Sequence, residues 1–282
     1  FILLFVLYSS CENKTVRDKE GLIVYQENQI SWVRNFEPLN PISIPRWPTR
    51  GGIYESLYLN NPITTDWVPW LATNYKWENN NKKLLFTTRP NVQWSDGKPF
   101  SAHDVAYTLN LWNQYPALDT RNAWEYLKSV VAVSDTLVQI DFKRIYVPGF
   151  EAIAGAPIIP KHIWKELEDP LDFSNPDPVG TGPFTEILRF NTQVWELGKN
   201  HNYWQKGKPY VEKLIFPTFS TNEQTTLALL SGKLDWAGAF IPAIQRIFVD
   251  KDPEHHHYWF RNTGHSTFCL LYTSDAADDS GC

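Results

Sequence analysis

The sequence predicts an α/β protein, and three observations carry that prediction. Between Val211 and Gly238 a strand, a doubly capped helix and a second strand follow one another directly, the pattern of a βαβ unit on a parallel sheet. A second helix start, at Ser101, is marked as sharply and follows a strand-like run at 83–89. The composition, 43% hydrophobic and 20% charged over 282 residues, is that of a folded protein with a sizeable core and, on length, of about two domains.

In chain order, Leu22–Tyr25 reads as the first strand. A Pro- and Trp-rich stretch from Trp32 to Trp47 follows and runs on through Pro48-Thr49-Arg50-Gly51-Gly52; Pro fixes φ and Gly permits positive φ, which predicts a shaped loop. The Asn79–Asn81 tract reads as a loop, Lys83–Arg89 as a strand, and Asn91–Phe100 as a turn-rich link carrying Trp94-Ser95-Asp96-Gly97. Ser101 is a good N-cap, Asp104 stands at N3 to complete a capping box, and Phe100 can staple onto Val105. Val105, Leu109 and Trp112 then recur at helical spacing and predict a buried stripe. Alternation at Val138, Ile140 and Phe142 predicts a hairpin over Val130–Phe142, and Pro160 opens a short helix to about Leu167.

Leu214–Phe219 is the strand that opens the βαβ unit. Ser220 and Thr221 precede Glu223 and Gln224, Leu227 and Leu230 are expected to mark the buried helix face, Gly232 is the expected C′ residue, and Leu234–Ala237 begins the next strand. Open α/β sheets place ligands beyond the carboxyl ends of their strands, which puts Trp236 and Gly238–Phe240 at the edge of an expected cleft. No repeat of 20–50 residues is visible.

With 26 basic and 31 acidic side chains, a net charge of -5, the chain carries no basic stripe, and a nucleic-acid partner is excluded. Outside the first residues no apolar run approaches the ~20 needed to cross a bilayer. The run Phe1–Tyr8 ends in Ser9-Ser10-Cys11, a short apolar stretch and small residues of the kind that form a secretory signal. Small residues before Cys11 resemble the lipobox of bacterial lipoproteins, although Tyr8 stands where Leu is usual; a plain signal peptide with an incidental Cys is the competing reading. Residues 12–21 read as a tether. The chain has no Met and opens inside the apolar run, which leads to the expectation that its first codons are missing. At the other end, Cys269–Asp278 resembles the translation of a transposase adapter used in sequencing libraries, so 269–282 is read as non-native, against a natural acidic tail. That segment holds Cys269 and Cys282, leaving Cys11 alone and no disulfide framework for an exported body.

Six motifs, in order, carry a resemblance: Gly52-Ile53-Tyr54-Glu55-Ser56-Leu57, Leu71-Ala72, Trp94-Ser95-Asp96-Gly97-Lys98-Pro99-Phe100-Ser101-Ala102-His103-Asp104-Val105, Gly180-Thr181-Gly182-Pro183-Phe184, Asn202-Tyr203-Trp204, and Leu230-Ser231-Gly232-Lys233-Leu234-Asp235. Together they resemble the family 5 extracellular solute-binding proteins of bacterial ABC importers, over about residues 22–268. The resemblance implies a periplasmic-binding-protein-like (type II) fold, two α/β lobes around a cleft with an inserted α+β domain in the first. Mapped here, 22–55 and 178–268 form that first lobe and 56–177 the insertion, with 1–11 the signal segment, 12–21 the linker and 269–282 the tail. Family members run to roughly twice this length, so the second lobe is expected to be missing. The implied partners are an oligopeptide or oligosaccharide ligand and the ABC permease subunits. The implied protein is a monomer, held at the periplasmic or outer face of a bacterial membrane by lipid on Cys11, with no cofactor and no catalysis.

The residues themselves leave peptide and sugar open, because aromatic faces stack on the CH faces of sugars and also fill peptide side-chain pockets. Trp94, Trp112 and Trp204 stand in fold motifs and are read as core. Trp47 and Trp236 lie on loops where the cleft should be and are read as ligand-facing, with Asn35 as polar recognition beside them and Tyr54 and Phe240 completing the candidate set. His255-His256-His257 invites a metal reading, but adjacent residues of an extended chain point to opposite sides, so a shared ion is not expected. A secreted glycoside hydrolase, which needs two acids flanking a sugar bond, is the alternative function. The motif acids Asp96, Asp104 and Asp235 have local roles in a turn, a cap and a strand end instead.

Overall fold

The computed structural model describes residues 21–39, 49–61 and 63–259. The expectations for Phe1–Tyr8, Cys11, Trp47 and 269–282 concern residues outside this set. Both ends of the described chain build one five-stranded sheet. β1 (Gly21–Tyr25) lies between β10 (Lys213–Pro217) and β11 (Trp236–Ala237) and runs parallel to both. β9 (Val194–Lys199) pairs antiparallel with β10 on one side and β8 (Phe184–Phe190) on the other, giving the order β11-β1-β10-β9-β8. The helix α4 (Asn222–Leu230) joins β10 to β11 across β1, which is the βαβ unit expected from the sequence.

The middle of the chain makes two further sheets. β2 (Tyr58–Asn60) and β3 (Trp67–Pro69) form a ribbon. β4 (Ala72–Glu78), β5 (Lys83–Thr88), β6 (Leu127–Ala132) and β7 (Leu137–Phe142) form an antiparallel sheet in the order β4-β5-β7-β6. Three consecutive asparagines, Asn79, Asn80 and Asn81, all take positive φ in the β4–β5 turn; Asn tolerates that region better than any other side chain with a Cβ.

Helix α1 (Ala102–Gln114) packs on β6 and β7 through the expected stripe, Val105, Leu109 and Trp112, all buried. Its capping box is formed: Ser101 Oγ accepts the His103 N–H at 3.2 Å and Asp104 Oδ2 accepts the Ser101 N–H at 2.9 Å. The other Asp104 oxygen accepts the Lys161 N–H at 3.0 Å, so one carboxylate caps α1 and also the start of α3 (Lys161–Trp164). Between these lies α2 (Gly149–Ala154), and α5 (Ile244–Ile247) follows β11.

Two expectations need correction. Leu227 and Leu230 do not face the core; they are 67% and 43% exposed. The face of α4 that packs on Tyr25, Leu234 and Ile241 carries Thr225, Ala228 and Leu229, related by steps of three and four. Thr225 can be buried there because its hydroxyl bonds back to the Thr221 carbonyl at 3.1 Å. The Pro160 helix ends at Trp164, a single turn.

Much of the Trp excess is core. Trp195 stacks on Phe216 with centroids 4.4 Å apart, and Trp32 meets both rings edge-on. Trp94 is fully buried, Trp112 nearly so, and Trp204 is half-buried against the same core. The Gly180–Phe184 segment is sewn to Gly52 and Ile53: the Gly182 N–H donates to the Ile53 carbonyl at 2.9 Å and the Phe184 N–H to the Gly52 carbonyl at 3.1 Å. The backbones approach so closely that a Cβ on Gly182 would fall on the Gly52 carbonyl oxygen. Gly182→Ala is therefore expected to lower the unfolding free energy by about 1–3 kcal/mol in urea melts. A loss no larger than that of an exposed surface substitution would contradict this close approach.

Candidate functional site

The motif Gly52–Leu57 places a carboxylate, Glu55, at zero exposure. Three donors converge on it. The Trp70 Nε1–H donates to Oε1 at 2.6 Å and the Tyr203 hydroxyl to the same oxygen at 3.0 Å, while the Trp204 Nε1–H donates to Oε2 at 3.0 Å. Trp70 and Trp204 also meet edge-to-face at 5.3 Å. Arg89 lies over the Trp204 ring at 4.4 Å, and its Nε donates to the Trp70 carbonyl at 2.7 Å. Burial drives the Glu55 carboxyl up to about 7, against the lowering effect of its Trp70, Trp204 and Tyr203 bonds. Burial, and then the neighbouring Glu55, also raise the Tyr203 hydroxyl. The neighbouring motifs lock onto this group. The Ser95 N–H donates to the Gly180 carbonyl at 2.9 Å, Asn202 Nδ2 donates to the Ser95 carbonyl at 3.2 Å, and the Ile158 N–H donates to the Glu55 carbonyl at 2.9 Å.

The expected cleft edge lies elsewhere, where β1, β10 and β11 end in parallel. The Gly238 N–H donates to the Tyr25 carbonyl at 2.8 Å, and Asp235 Oδ2 accepts the Ile23 N–H at 2.8 Å, fixing the end of β11 beside β1. Trp236 is half-buried there, and a Cβ on Gly238 would press on its ring at 2.8 Å. Phe240 follows at 74% exposure. The loop leaving β1 is held by the Gln29 N–H on the Phe219 carbonyl, the Trp32 N–H on the Thr192 carbonyl and the Phe36 N–H on the Ser174 carbonyl, at 2.8–3.0 Å. Within it Asn35 is half-buried, its Oδ1 accepting the Glu37 N–H at 3.0 Å.

Tyr54 is a correction. Its ring is 1% exposed and its oxygen accepts the Asn175 Nδ2–H at 2.6 Å, which makes it a core residue that no ligand in an open cleft can touch. The motif acids are engaged locally. Asp96 Oδ1 accepts the Lys98 N–H at 3.2 Å, and Oδ2 lies 2.8 Å from His162 Nε2. Two of the three histidines have separate partners: His255 Nδ1 sits 2.9 Å from Asp252, whereas the His256 ring stacks on Phe248 at 3.9 Å. Among the described residues no group of three or more His, Cys, Asp or Glu could hold a metal ion, and no helix is long and apolar enough to cross a membrane. Reasoning from the sequence missed Glu55 as a site; the signal was present, a lone acid between Ile53-Tyr54 and Ser56-Leu57.

Residues 66–275 match the family model described as bacterial extracellular solute-binding proteins, family 5, middle. The chain belongs to this family. Among the relatives of this solute-binding protein, the nickel-binding periplasmic protein of Escherichia coli (strain K12) is 29% identical over 220 residues, 73% of this chain and 40% of the relative. The oligopeptide-binding protein OppA of Bacillus subtilis (strain 168) is 25% identical over 189 residues, 60% and 34%. The crystal structure of a Thermotoga maritima periplasmic oligopeptide-binding protein with mannohexaose bound superposes with a TM-score of 0.75 at 27% identity, covering 84% of this chain and 44% of that one. Campylobacter jejuni NikZ in complex with Ni(L-His) shares the fold, with a TM-score of 0.69 at 20% identity, covering 83% and 46%. The α/β fold is thus that of the type II periplasmic binding proteins, and the chain spans less than half the length of these relatives.

The pH dependence of stability follows from Glu55. Its carboxyl titrates higher in the folded chain than the ordinary 4.5, so the folded state gains stability that is complete below pH 4.5 and is lost as pH rises through about 7. Measured against Glu55→Gln, which cannot titrate, the wild type is expected to lose about 3 kcal/mol of relative stability between those limits. Urea unfolding of both proteins across that range checks it, and a constant difference would contradict it. In the amide variant one indole N–H also faces an NH2 group, an orphaned donor that costs about 1–3 kcal/mol.

Proposed function

We propose that this chain is part of a substrate-binding lipoprotein of an ABC importer, which captures an oligopeptide or oligosaccharide in a cleft between two lobes and delivers it to the membrane permease. The observation that carries the reading is the convergence of three parallel strand ends on an edge bearing the half-buried Trp236 and the exposed Phe240, in a chain of this family. On this reading residues 22–55 and 178–268 make the first lobe and 56–177 an insertion in it. The five-stranded sheet supports that division, since it draws its strands from both of those outer segments and none from the middle. Asn35, Trp47, Trp236 and Phe240 line this lobe's wall of the cleft, and closure of an opposing lobe over the ligand presents the closed form to the permease.

The function is capture without chemistry, outside the cytoplasm, with Cys11 as the lipid anchor. Stacking of sugar or side-chain faces on Trp236 and Phe240 supplies apolar contact, and the loop containing Asn35 supplies polar selection. A ligand that binds only the folded state raises the thermal midpoint, by an amount corresponding to ~2.7 kcal/mol at a hundred times Kd. The full-length gene product screened against oligopeptide and oligosaccharide panels is expected to show such a rise with members of one panel and no product from chromogenic glycosides. No rise in either panel, or turnover of a glycoside, would contradict the reading. Palmitate labelling in the expressing bacterium, abolished by Cys11→Ser, is the expected sign of the anchor; release of unlabelled wild type would overturn it.

A further inference from the structure

One end of the four-stranded sheet gathers cations from three separate stretches of chain. The Phe142 N–H at the close of β7 donates to the Lys82 carbonyl at 2.8 Å, which sets Lys82, just ahead of β5, beside the point where Lys143 leaves the sheet. Leu127 pairs with Phe142 across β6 and β7, and Lys128 follows it where the register slips, unopposed in the ladder. Arg144 comes directly after Lys143, and Lys82, Lys128, Lys143 and Arg144 are all exposed. The chain then runs through Ile145 and Val147, 53% and 45% exposed, so large apolar side chains stand in the same strip as the cations. Its base is firm: the Tyr126 ring lies between Phe142, with centroids 5.9 Å apart, and Tyr146, at 4.4 Å.

These charges are not neutralised within the fold. Lys143 Nζ donates to the Trp124 carbonyl at 2.7 Å, and the Arg144 guanidinium lies over the Tyr146 ring at 5.1 Å. Among the described residues none of the four has a carboxylate within ion-pair distance. The acids of this end are engaged elsewhere. Glu78 pairs with Lys76 at 2.8 Å, and Asp141 faces Lys83 across the ladder while accepting Ser129 Oγ–H at 3.1 Å and Gln139 Nε2–H at 2.8 Å. That leaves the exposed Glu125 against four cations, in a chain whose net charge is -5. A strip opposite in sign to the rest of the molecule turns toward a negative surface. Three of the four are lysines, hydrated point charges on flexible stems that need no fixed partner geometry, and no pocket receives an anchoring side chain as a protein partner would require. Such a strip, with apolar tips between its charges, suits a fluid layer of anionic headgroups.

We propose that this end of the sheet docks on an anionic phospholipid surface, with Lys82, Lys128, Lys143 and Arg144 meeting lipid phosphates and Ile145 and Val147 entering the headgroup layer. The inference rests on the reading of this chain as part of a lipid-anchored protein outside the cytoplasm. Residues 12–21, the tether of that reading, span at most about 35 Å, which keeps the folded body close to the bilayer. Docking by this end fixes which side of the body is turned to the permease.

The test is cosedimentation of the 282-residue chain, unlipidated, with vesicles of mixed phosphatidylglycerol and phosphatidylcholine and with vesicles of phosphatidylcholine alone. Binding is expected to be at least about tenfold tighter to the anionic vesicles at low salt, and to fall as salt screens the charges. Each charge near such a surface is worth about fivefold, so Lys82→Gln, Lys128→Gln and Arg144→Gln together should weaken binding by about a hundredfold. The charge-preserving set Lys82→Arg, Lys128→Arg and Arg144→Lys should keep it, and both sets should keep the wild-type melting temperature because all three side chains are exposed. The apolar run Phe1–Tyr8 is common to every variant, so any hold of its own on lipid cancels in the comparison. Equal binding to both kinds of vesicle, undiminished binding by the Gln set, or equal loss in the charge-preserving set would overturn the proposal. Binding to polyglutamate in preference to anionic vesicles would also overturn it, since the strip would then fit an acidic protein. A solute-induced rise in the melting temperature of the full-length gene product, with anionic vesicles ignored, would remove the membrane surface while leaving solute capture standing.

Discussion

A single buried carboxylate decides how this chain is put together. Glu55 ends the segment that begins with β1, and its two oxygens are held by an indole from the middle segment, Trp70, and by a phenol and an indole from the later one, Tyr203 and Trp204. An acid deprived of water is costly, and it remains in the core only while donors surround it. The bonds therefore work in both directions. They make the charge tolerable, and they fix three stretches of chain, far apart in sequence, at one point. Arg89 adds a cation over the Trp204 face and ties it to the Trp70 backbone, so the donors are themselves held in place.

The other motifs that carry the family resemblance serve the same junction. Gly180 and Gly182 let one backbone lie against the carbonyls of Gly52 and Ile53, and Ser95 bridges to Gly180 and Asn202. Asp104 caps two helices with its two oxygens. The motifs that carry the family resemblance thus build the frame of this chain.

How much of this was legible in the sequence depended on whether the signal was local. The α1 cap, its buried stripe, the β6–β7 hairpin and the βαβ crossover were all readable, because each is written in residues three or four apart or alternating by two. Strands β4 and β8 were not, since polar residues occupy much of both faces and only pairing with neighbours makes them strands; β9 was not read either, although Trp195 and Leu197 alternate on its buried face. The α4 face was misread because Leu227 and Leu230 looked apolar enough to be buried, whereas the packed positions are the back-bonded Thr225, the small Ala228 and Leu229. Tyr54 was misjudged for the same reason in reverse: its partner, Asn175, lies 121 residues away and cannot be seen from the motif.

The central claim is that the Glu55 carboxylate holds Trp70 and Trp204 by their indole N–H groups in one titrating cluster. Indole ¹H–¹⁵N spectra recorded from acid to alkaline pH test it directly. The account predicts that the Trp70 and Trp204 signals titrate together with a common midpoint near about 7, while Trp195, which stacks on Phe216 in the five-stranded sheet and has no partner for its indole N–H, stays still. Signals for Trp70 and Trp204 that do not move across that range, or that move with separate midpoints, would contradict it.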